Sequence, residues 1–166
     1  MRPDLTLERI INFLLEVDMF ASLSISELSE IVSIMDIQKY KEGDIIFVEG
    51  DIGDAWYTIF NGRVSVEKHT PFSSDSSVAS LGKSTCFGEM AILDDAPRSA
   101  TITVQEETLL FRFSRTKFER LLDDGRLGAY KLVYGMACVL AQRQRQLNIR
   151  ITELVQELEY QDESNS

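Results

Sequence analysis

The chain has 166 residues, 44% of them hydrophobic, and a formal net charge of −10. That size and composition suit one globular unit with a real core, plus an extra helical element. The acid excess argues against nucleic acid and against an anionic membrane surface, but contact geometry can still outweigh net charge at a single, locally positive pocket.

Cys86 and Cys138 are the only cysteines. Two are too few for a disulfide framework or a zinc site, and they read as reduced thiols of a cytoplasmic protein. The N-terminus, MRPDLTLERI, has no long apolar run of the signal-peptide kind, and no stretch approaches a transmembrane helix.

Residues 5–17, LTLERIINFLLEV, put Leu7, Ile10, Ile11, Leu14 and Leu15 at helical spacing. In SLSISELSEIVSIM, Ser24 and Glu27 fit a capping box, and Leu28, Ile31, Val32 and Met35 form one face, so a second helix is predicted. From Tyr40 the texture changes to short β-rich runs, DIIFVEG, AWYTIF and GRVSVEKH, each bounded by turn residues. Asn61-Gly62 is the strongest hairpin signal in the chain. Trp56 and Tyr57 read as core. TPFSSDSSVAS reads as a solvated loop between strands, with His69, the single histidine, facing solvent beside it. Strand character returns at 78–81, in TITV and in TLLFRF. A short helix then carries Phe118, Leu121 and Leu122, and a long one runs from about Leu127 to Tyr160.

The order of helices, strands and helices predicts an α+β fold built on an antiparallel β-roll. Residues 1–126 would form the roll with its N-terminal helices, 127–160 the long C-terminal helix, and 161–166 an acidic, frayed tail. In the long helix, Val133, Ala137, Leu140, Gln144, Leu147, Ile151, Leu154 and Leu158 are spaced by alternating steps of four and three, a heptad seam with one polar position at Gln144. At ~1.5 Å per residue the helix spans about 50 Å, longer than a small β-roll can cover. Its first half can pack on its own domain; the second half predicts self-association into a homodimer, since it would otherwise be an exposed apolar stripe.

Residues 87–101 read FGEMAILDDAPRSAT. The stretch is mostly small and apolar, yet it holds Glu89 and Arg98. Charges are rarely buried without a partner, so either these two pair with each other or they face a ligand. Gly88 permits close backbone approach. A helical turn starting near Glu89 would aim free amides at one spot, and Arg98, set by Pro97, could reach the same spot with a fork suited to phosphate oxygens. Glu89 cannot bind phosphate but can accept from a sugar hydroxyl. The chemistry fits a phosphate with a hydroxylated ring beside it.

On these residues the stretch resembles the phosphate-binding cassette of the cyclic nucleotide-binding domain family. The family pattern, F-G-E-hydrophobic-A followed by P-R-small-A-T, is matched without a gap. FASLSISELSEI resembles the family's opening helix and KYKEGDIIFVEGDIGDAWYTIFNGRVSV its first β-hairpins, so the likeness covers about 17–148. The resemblance implies a jelly-roll-like double-stranded β-helix. It implies that Glu89 binds the ribose 2′-hydroxyl, that Arg98 pairs with the cyclic phosphate, and that Gly88, Met90, Ala91, Ser99 and Ala100 line the rest. It places the base under the long helix, where Arg143, Gln144 and Leu147 are the candidates. Family frequency favours cyclic AMP over cyclic GMP.

No nucleophile elbow, P-loop or metal-ligand spacing is present, and Asp94 and Asp95 read as solvent-facing loop carboxylates. The expectation is therefore not an enzyme, with no metal and no cofactor, but a sensor. No helix-turn-helix follows the long helix, so the signal would pass by helix movement to a protein effector. The alternative is a ligand-free adaptor of the same fold, dimerised through its C-terminal helix, with Glu89 and Arg98 as an internal pair.

Overall fold

The computed structural model describes residues 5–70 and 73–164, except for the side chains of 69, 70, 73–77 and 161–164. Helix α1, Leu7–Leu15, starts where Thr6 Oγ1 accepts from the Arg9 amide at 3.3 Å, and it buries Ile10, Phe13 and Leu14. Helix α2, Ile25–Val32, carries the expected capping box. The Glu27 amide donates to Ser24 Oγ at 3.3 Å, and the Ser24 amide donates to Glu27 Oε2 at 2.8 Å.

Eight strands follow: β1 Met35–Tyr40, β2 Ile45–Phe47, β3 Ala55–Asn61, β4 Val64–Thr70, β5 Ser73–Leu81, β6 Cys86–Phe87, β7 Thr101–Val104 and β8 Thr108–Ser114. They form two four-stranded antiparallel sheets, ordered β1-β8-β3-β6 and β2-β7-β4-β5. A single turn of helix, α3 Met90–Leu93, sits between β6 and β7; α4, Arg115–Asp123, and α5, Leu127–Ser164, close the chain. The fold is α+β, two sheets wrapped into a roll with helices at its ends.

Several sequence expectations are corrected. Asn61-Gly62 does turn the chain, but β3 and β4 do not pair; the turn is a corner that carries the chain from one sheet to the other. Gly62 has φ +100°, and a Cβ there would lie 2.3 Å from Thr108 Oγ1 and 2.8 Å from the Glu107 carbonyl. The β7–β8 connection, another corner at which the chain changes sheet, packs directly on it, and the Arg63 amide donates to Thr108 Oγ1 at 3.0 Å. The glycine marks a crowded corner rather than a hairpin.

The serine-rich run is the second correction. It is not a loop but β5, paired to β4 with Val64 opposite Leu81 and Glu67 opposite Ser77. As the outer strand of its sheet, β5 needs backbone pairing more than apolar side chains, so its polarity hid it. The backbone of His69 lies in β4, not in a loop; its side chain is outside those described.

Two cores share β3. Trp56 and Phe60 face a helical core with Phe13, Phe20, Phe111, Phe113, Phe118, Leu132 and Met136; Trp56 stacks on Phe113 at 4.9 Å. Ala55, Tyr57 and Ile59 face the interior of the roll with Val64, Phe87, Ile102, Val104 and Leu110. Burial on both faces explains why β3 reads as a continuous apolar run.

Helix α5 runs past the expected Tyr160. Its domain-facing stripe is Ala129, Leu132 and Met136, with Val133 and Val139 partly buried. Of the heptad seam, only Val133 and Leu140 touch cover; Leu147 is 57% and Leu158 62% exposed.

Candidate functional site

The 87–101 stretch forms one wall of a pocket of about 210 Å³ inside the roll. Gly88, φ +80°, begins it; a Cβ there would lie 2.8 Å from Arg98 Nη1. Only glycine combines that backbone with that approach. Glu89 stands at the N-cap of α3, so the first amides of that turn have no helical acceptor. Pro97 leads into Arg98, whose amide donates to the Asp51 carbonyl at 2.8 Å, tying the end of the stretch to the β2–β3 loop.

Glu89 and Arg98 are 1% and 3% exposed, and both line the pocket. They do not pair with each other, as the internal-pair alternative expected. Arg98 Nη1 donates to the Gly88 carbonyl at 2.9 Å, and Nη2 to the Ala55 carbonyl at 2.7 Å and to Asp54 Oδ1 at 3.4 Å. Its guanidinium lies 4.0 Å from the centre of the Phe47 ring, and Nε is buried with no acceptor among the described residues. Burial lowers the Arg98 pKa, with Tyr57 and Asp54 opposing that shift.

Glu89 is held from the other side. Arg143 of α5 donates through Nη1 to Glu89 Oε1 at 2.6 Å and through Nη2 to the Cys86 carbonyl at 2.6 Å. Burial pushes the Glu89 carboxyl above the ordinary glutamate range, and the Arg143 charge pulls it back down.

Of the expected residues, Gly88, Glu89, Met90, Ala91, Arg98, Ser99, Ala100 and Arg143 line one pocket. Gln144 and Leu147 do not; Gln144 is exposed and donates to Asn148 Oδ1 at 3.1 Å, along its own helix. Gln144 lies on a different face of α5 from Arg143, whereas Leu147 shares Arg143's face but sits one turn further along, beyond the pocket, and is exposed. Residues not singled out from sequence complete the site. Phe47, Val66, Leu81 and Ile102 make its apolar wall, and Lys68, outside the lining, donates through Nζ to the carbonyl of the lining residue Ser99 at 2.9 Å. The strand alternation of Val66 and Lys68 in β4 was the signal for this pair. Arg115 clamps α3 from behind. It donates to the Ala91 carbonyl at 3.2 Å and pairs with Asp95, which therefore does not simply face water.

Among the described residues no group of three His, Cys, Asp or Glu is placed to hold a metal ion. Cys86 is buried, which pushes its thiol up to about 12 and leaves it protonated at neutral pH; Cys138 is exposed on α5. No described helix is long and apolar enough to cross a membrane.

Residues 37–124, more than half of the chain, match the cyclic nucleotide-binding domain. The chain belongs to the cyclic nucleotide-binding domain family. This is a family of regulatory binding domains rather than of enzymes. The chain is 35% identical over 111 residues to a cAMP-dependent protein kinase regulatory subunit of Hypocrea atroviridis, an alignment covering 67% of this chain and 23% of the relative. The chain therefore spans about a quarter of that relative's length. Among solved structures, a cyclic nucleotide-binding domain from Methylobacillus flagellatus superposes with a TM-score of 0.77 at 27% identity, covering 87% of this chain and 81% of that one. The regulatory domain of Toxoplasma gondii PKA, co-crystallised with cAMP, gives 0.65 at 27% identity over 72% and 45% of the two chains. The cyclic nucleotide-binding fold extends beyond the matched segment to the N-terminal helices and part of α5.

Proposed function

We propose that this domain is a sensor of a cyclic purine nucleotide, cyclic AMP before cyclic GMP. The observation that carries this is the pair of opposite charges in one pocket wall. Glu89 and Arg98 are both buried there, yet each is anchored elsewhere and neither neutralises the other. Such a pocket offers an acceptor and a cation to a ligand that has both a hydroxyl and an anion. Arg98, with its unaccepted Nε and the first amides of α3, would take the singly charged cyclic phosphate. Glu89 would take the ribose hydroxyl through the oxygen that Arg143 leaves alone, and Phe47, Val66, Leu81 and Ile102 would meet apolar parts of the ligand. The cAMP in the Toxoplasma relative supports the choice of nucleotide.

The signal would leave through α5. A pocket of about 210 Å³ is smaller than the ~300–1,000 Å³ of most ligand sites, and Arg143 is part of its lining. A nucleotide that fills the site would change the hold of Arg143 on Glu89, and with it the seat of α5. Residues 1–126 would then be the binding unit and 127–160 the lid and dimer contact, with a protein effector reading the change. A ligand acts this way only by binding one arrangement of the helix better than the other. A cytoplasmic location is compatible with the two free cysteines and with the finding that, among the described residues, no helix is long and apolar enough to cross a membrane.

Calorimetric titration with cyclic AMP and cyclic GMP tests the reading. Binding at micromolar concentration or tighter, lost in Arg98→Ala, is the expected result, and the tighter nucleotide names the signal. A second reading, a ligand-free adaptor, draws on the exposed seam of α5 and on the protein partners that Glu89 and Arg98 already have. Absence of heat with either nucleotide, beside an intact dimer, would favour it.

A further inference from the structure

We propose a second binding site, for a small amphipathic carboxylate, on the face of the first sheet that the described residues leave bare beside the start of α1. A cavity of about 690 Å³ opens there and shares no lining residue with the nucleotide pocket. Its volume falls within the ~300–1,000 Å³ of ordinary small-molecule sites.

The cavity follows from the length of α1. This nine-residue helix covers the sheet with Phe13, which meets Phe60 at 4.9 Å and Phe111 at 5.7 Å, edge to face. Ile37 of β1 lies directly opposite Phe111 in the ladder, and Lys39 opposite Leu109. Residues opposite each other in an antiparallel pair share a face. Phe111 is fully covered, whereas Ile37 is 47% exposed. The helix ends before the apolar face does, leaving Leu5, Ile37, Phe60 and Leu109 as the floor of a concave site.

The rim is basic in a protein whose net charge is −10. Lys39 pairs with Glu107 at 3.0 Å, so those two cancel. Arg9 and Lys83 remain. The Arg9 guanidinium carbon lies 5.9 Å from the centre of the Phe60 ring and Lys83 Nζ 5.9 Å from that of Phe13, and neither has an acidic partner among the described residues. Two unneutralised cations at the edge of an apolar floor suit one carboxylate on an apolar body. A hydrophilic anion would waste the floor, and an uncharged hydrocarbon would leave the cations unused.

The test titrates the full chain with sodium decanoate and with 2-naphthoate, below micelle-forming concentrations, following backbone amides by NMR. The two probes separate an aliphatic from an aromatic body. Saturable shifts at Ile37, Asn61 and Leu109, with residues 88–100 unmoved, are expected for at least one. The double change Arg9→Glu and Lys83→Glu should weaken that binding about tenfold or more, through loss of attraction and added repulsion. Both side chains are exposed, so its urea midpoint should stay put; Ile37→Glu tests the floor independently. Decyltrimethylammonium, with the same tail and the opposite charge, should not bind. The proposal is overturned if neither carboxylate saturates at millimolar concentration, if the cationic amphiphile binds equally well, or if the double variant binds decanoate and naphthoate as the parent does.

Discussion

Arg143, on the long C-terminal helix, donates to Glu89 across 54 residues of chain, with Nη1 2.6 Å from Oε1. The carboxylate is nearly inaccessible, while the arginine keeps 36% of its side-chain exposure. This contact joins the binding stretch to the helix, and it defines the first prediction. Arg143→Ala should lower stability at pH 7 by about 1–2 kcal/mol, less than for a fully buried pair because water reaches the guanidinium. The loss should depend on pH. Burial raises the Glu89 pKa above its unfolded value of 4.5, so the native state binds the proton more readily than the unfolded one. Stability from this group is then greatest below 4.5 and falls as pH rises through the folded pKa. Removing Arg143 takes away the charge that opposes this shift, so the window widens upward. Urea melts of parent and variant at pH 7 and pH 4.5 should differ clearly at the first and little at the second. An equal difference at both would show that the contact does not act through charge on Glu89.

Arg98 should behave differently from Arg143. Its fork satisfies the carbonyls of Gly88 and Ala55, and Asp54 keeps a second partner in Arg112, whose Nη2 donates at 2.6 Å. Arg98→Ala therefore leaves two carbonyls short of a donor but strands no carboxylate, and should cost about 1–3 kcal/mol. Arg98→Lys restores the charge without the fork. It should recover part of the stability but not the geometry for a phosphate. Chemical melts and nucleotide titrations on the same two variants separate these effects. If lysine restores nucleotide binding in full, recognition by the planar fork is wrong.

How much of this was legible in the sequence depended on what each residue had to satisfy. The α2 cap was legible because Ser24 and Glu27 satisfy each other locally. The lining of the site by 88–100 was legible because a glycine, an acid and an arginine in an apolar run have few other uses. β5 was not, since an outer strand is held by its backbone and its serines look like a loop. The Asn61-Gly62 corner was misread for a related reason. Its glycine answers to Thr108 and Glu107, more than forty residues away in sequence, and no local pattern reveals such a neighbour. The partner of Glu89 was likewise out of reach. Arg98 stood nearby in sequence, but Arg143 is delivered by the packing of Ala129, Leu132 and Met136 against the domain.

The corner itself can be tested. Gly62→Val places a β-branched side chain at φ +100°, against Thr108 Oγ1 and the Glu107 carbonyl. The strain and the clash together should cost about 2–4 kcal/mol. Gly62 lies away from the nucleotide pocket lining, so the folded fraction should still bind ligand with parental affinity. Thermal unfolding should move well below the parent. A variant that melts with the parent would mean the corner yields easily, and that the glycine is there for some other reason.

The last prediction concerns α5. The stripe that packs on the domain, Ala129, Leu132 and Met136, is offset from the heptad seam, so seating the helix does not use the seam up. From Leu147 onward the seam is bare, with Ile151 58% and Leu154 43% exposed. Apolar residues repeated at this spacing are stable in water chiefly when a second helix covers them, which makes a parallel or antiparallel pair of copies the natural cover. The double change Leu147→Asp and Leu154→Asp puts two charges into that seam and touches nothing in the roll. Sedimentation equilibrium should show the parent as a dimer and the variant as a monomer. Because dimerisation stabilises by mass action, the parent's melting temperature should rise with protein concentration and the variant's should not. Gln144, at the one polar seam position, gives the complementary arm: Gln144→Leu should tighten association while loosening its specificity for a single register. A parent chain that sediments as a monomer at high concentration would remove the seam's proposed role and leave α5 as a lid for its own domain alone.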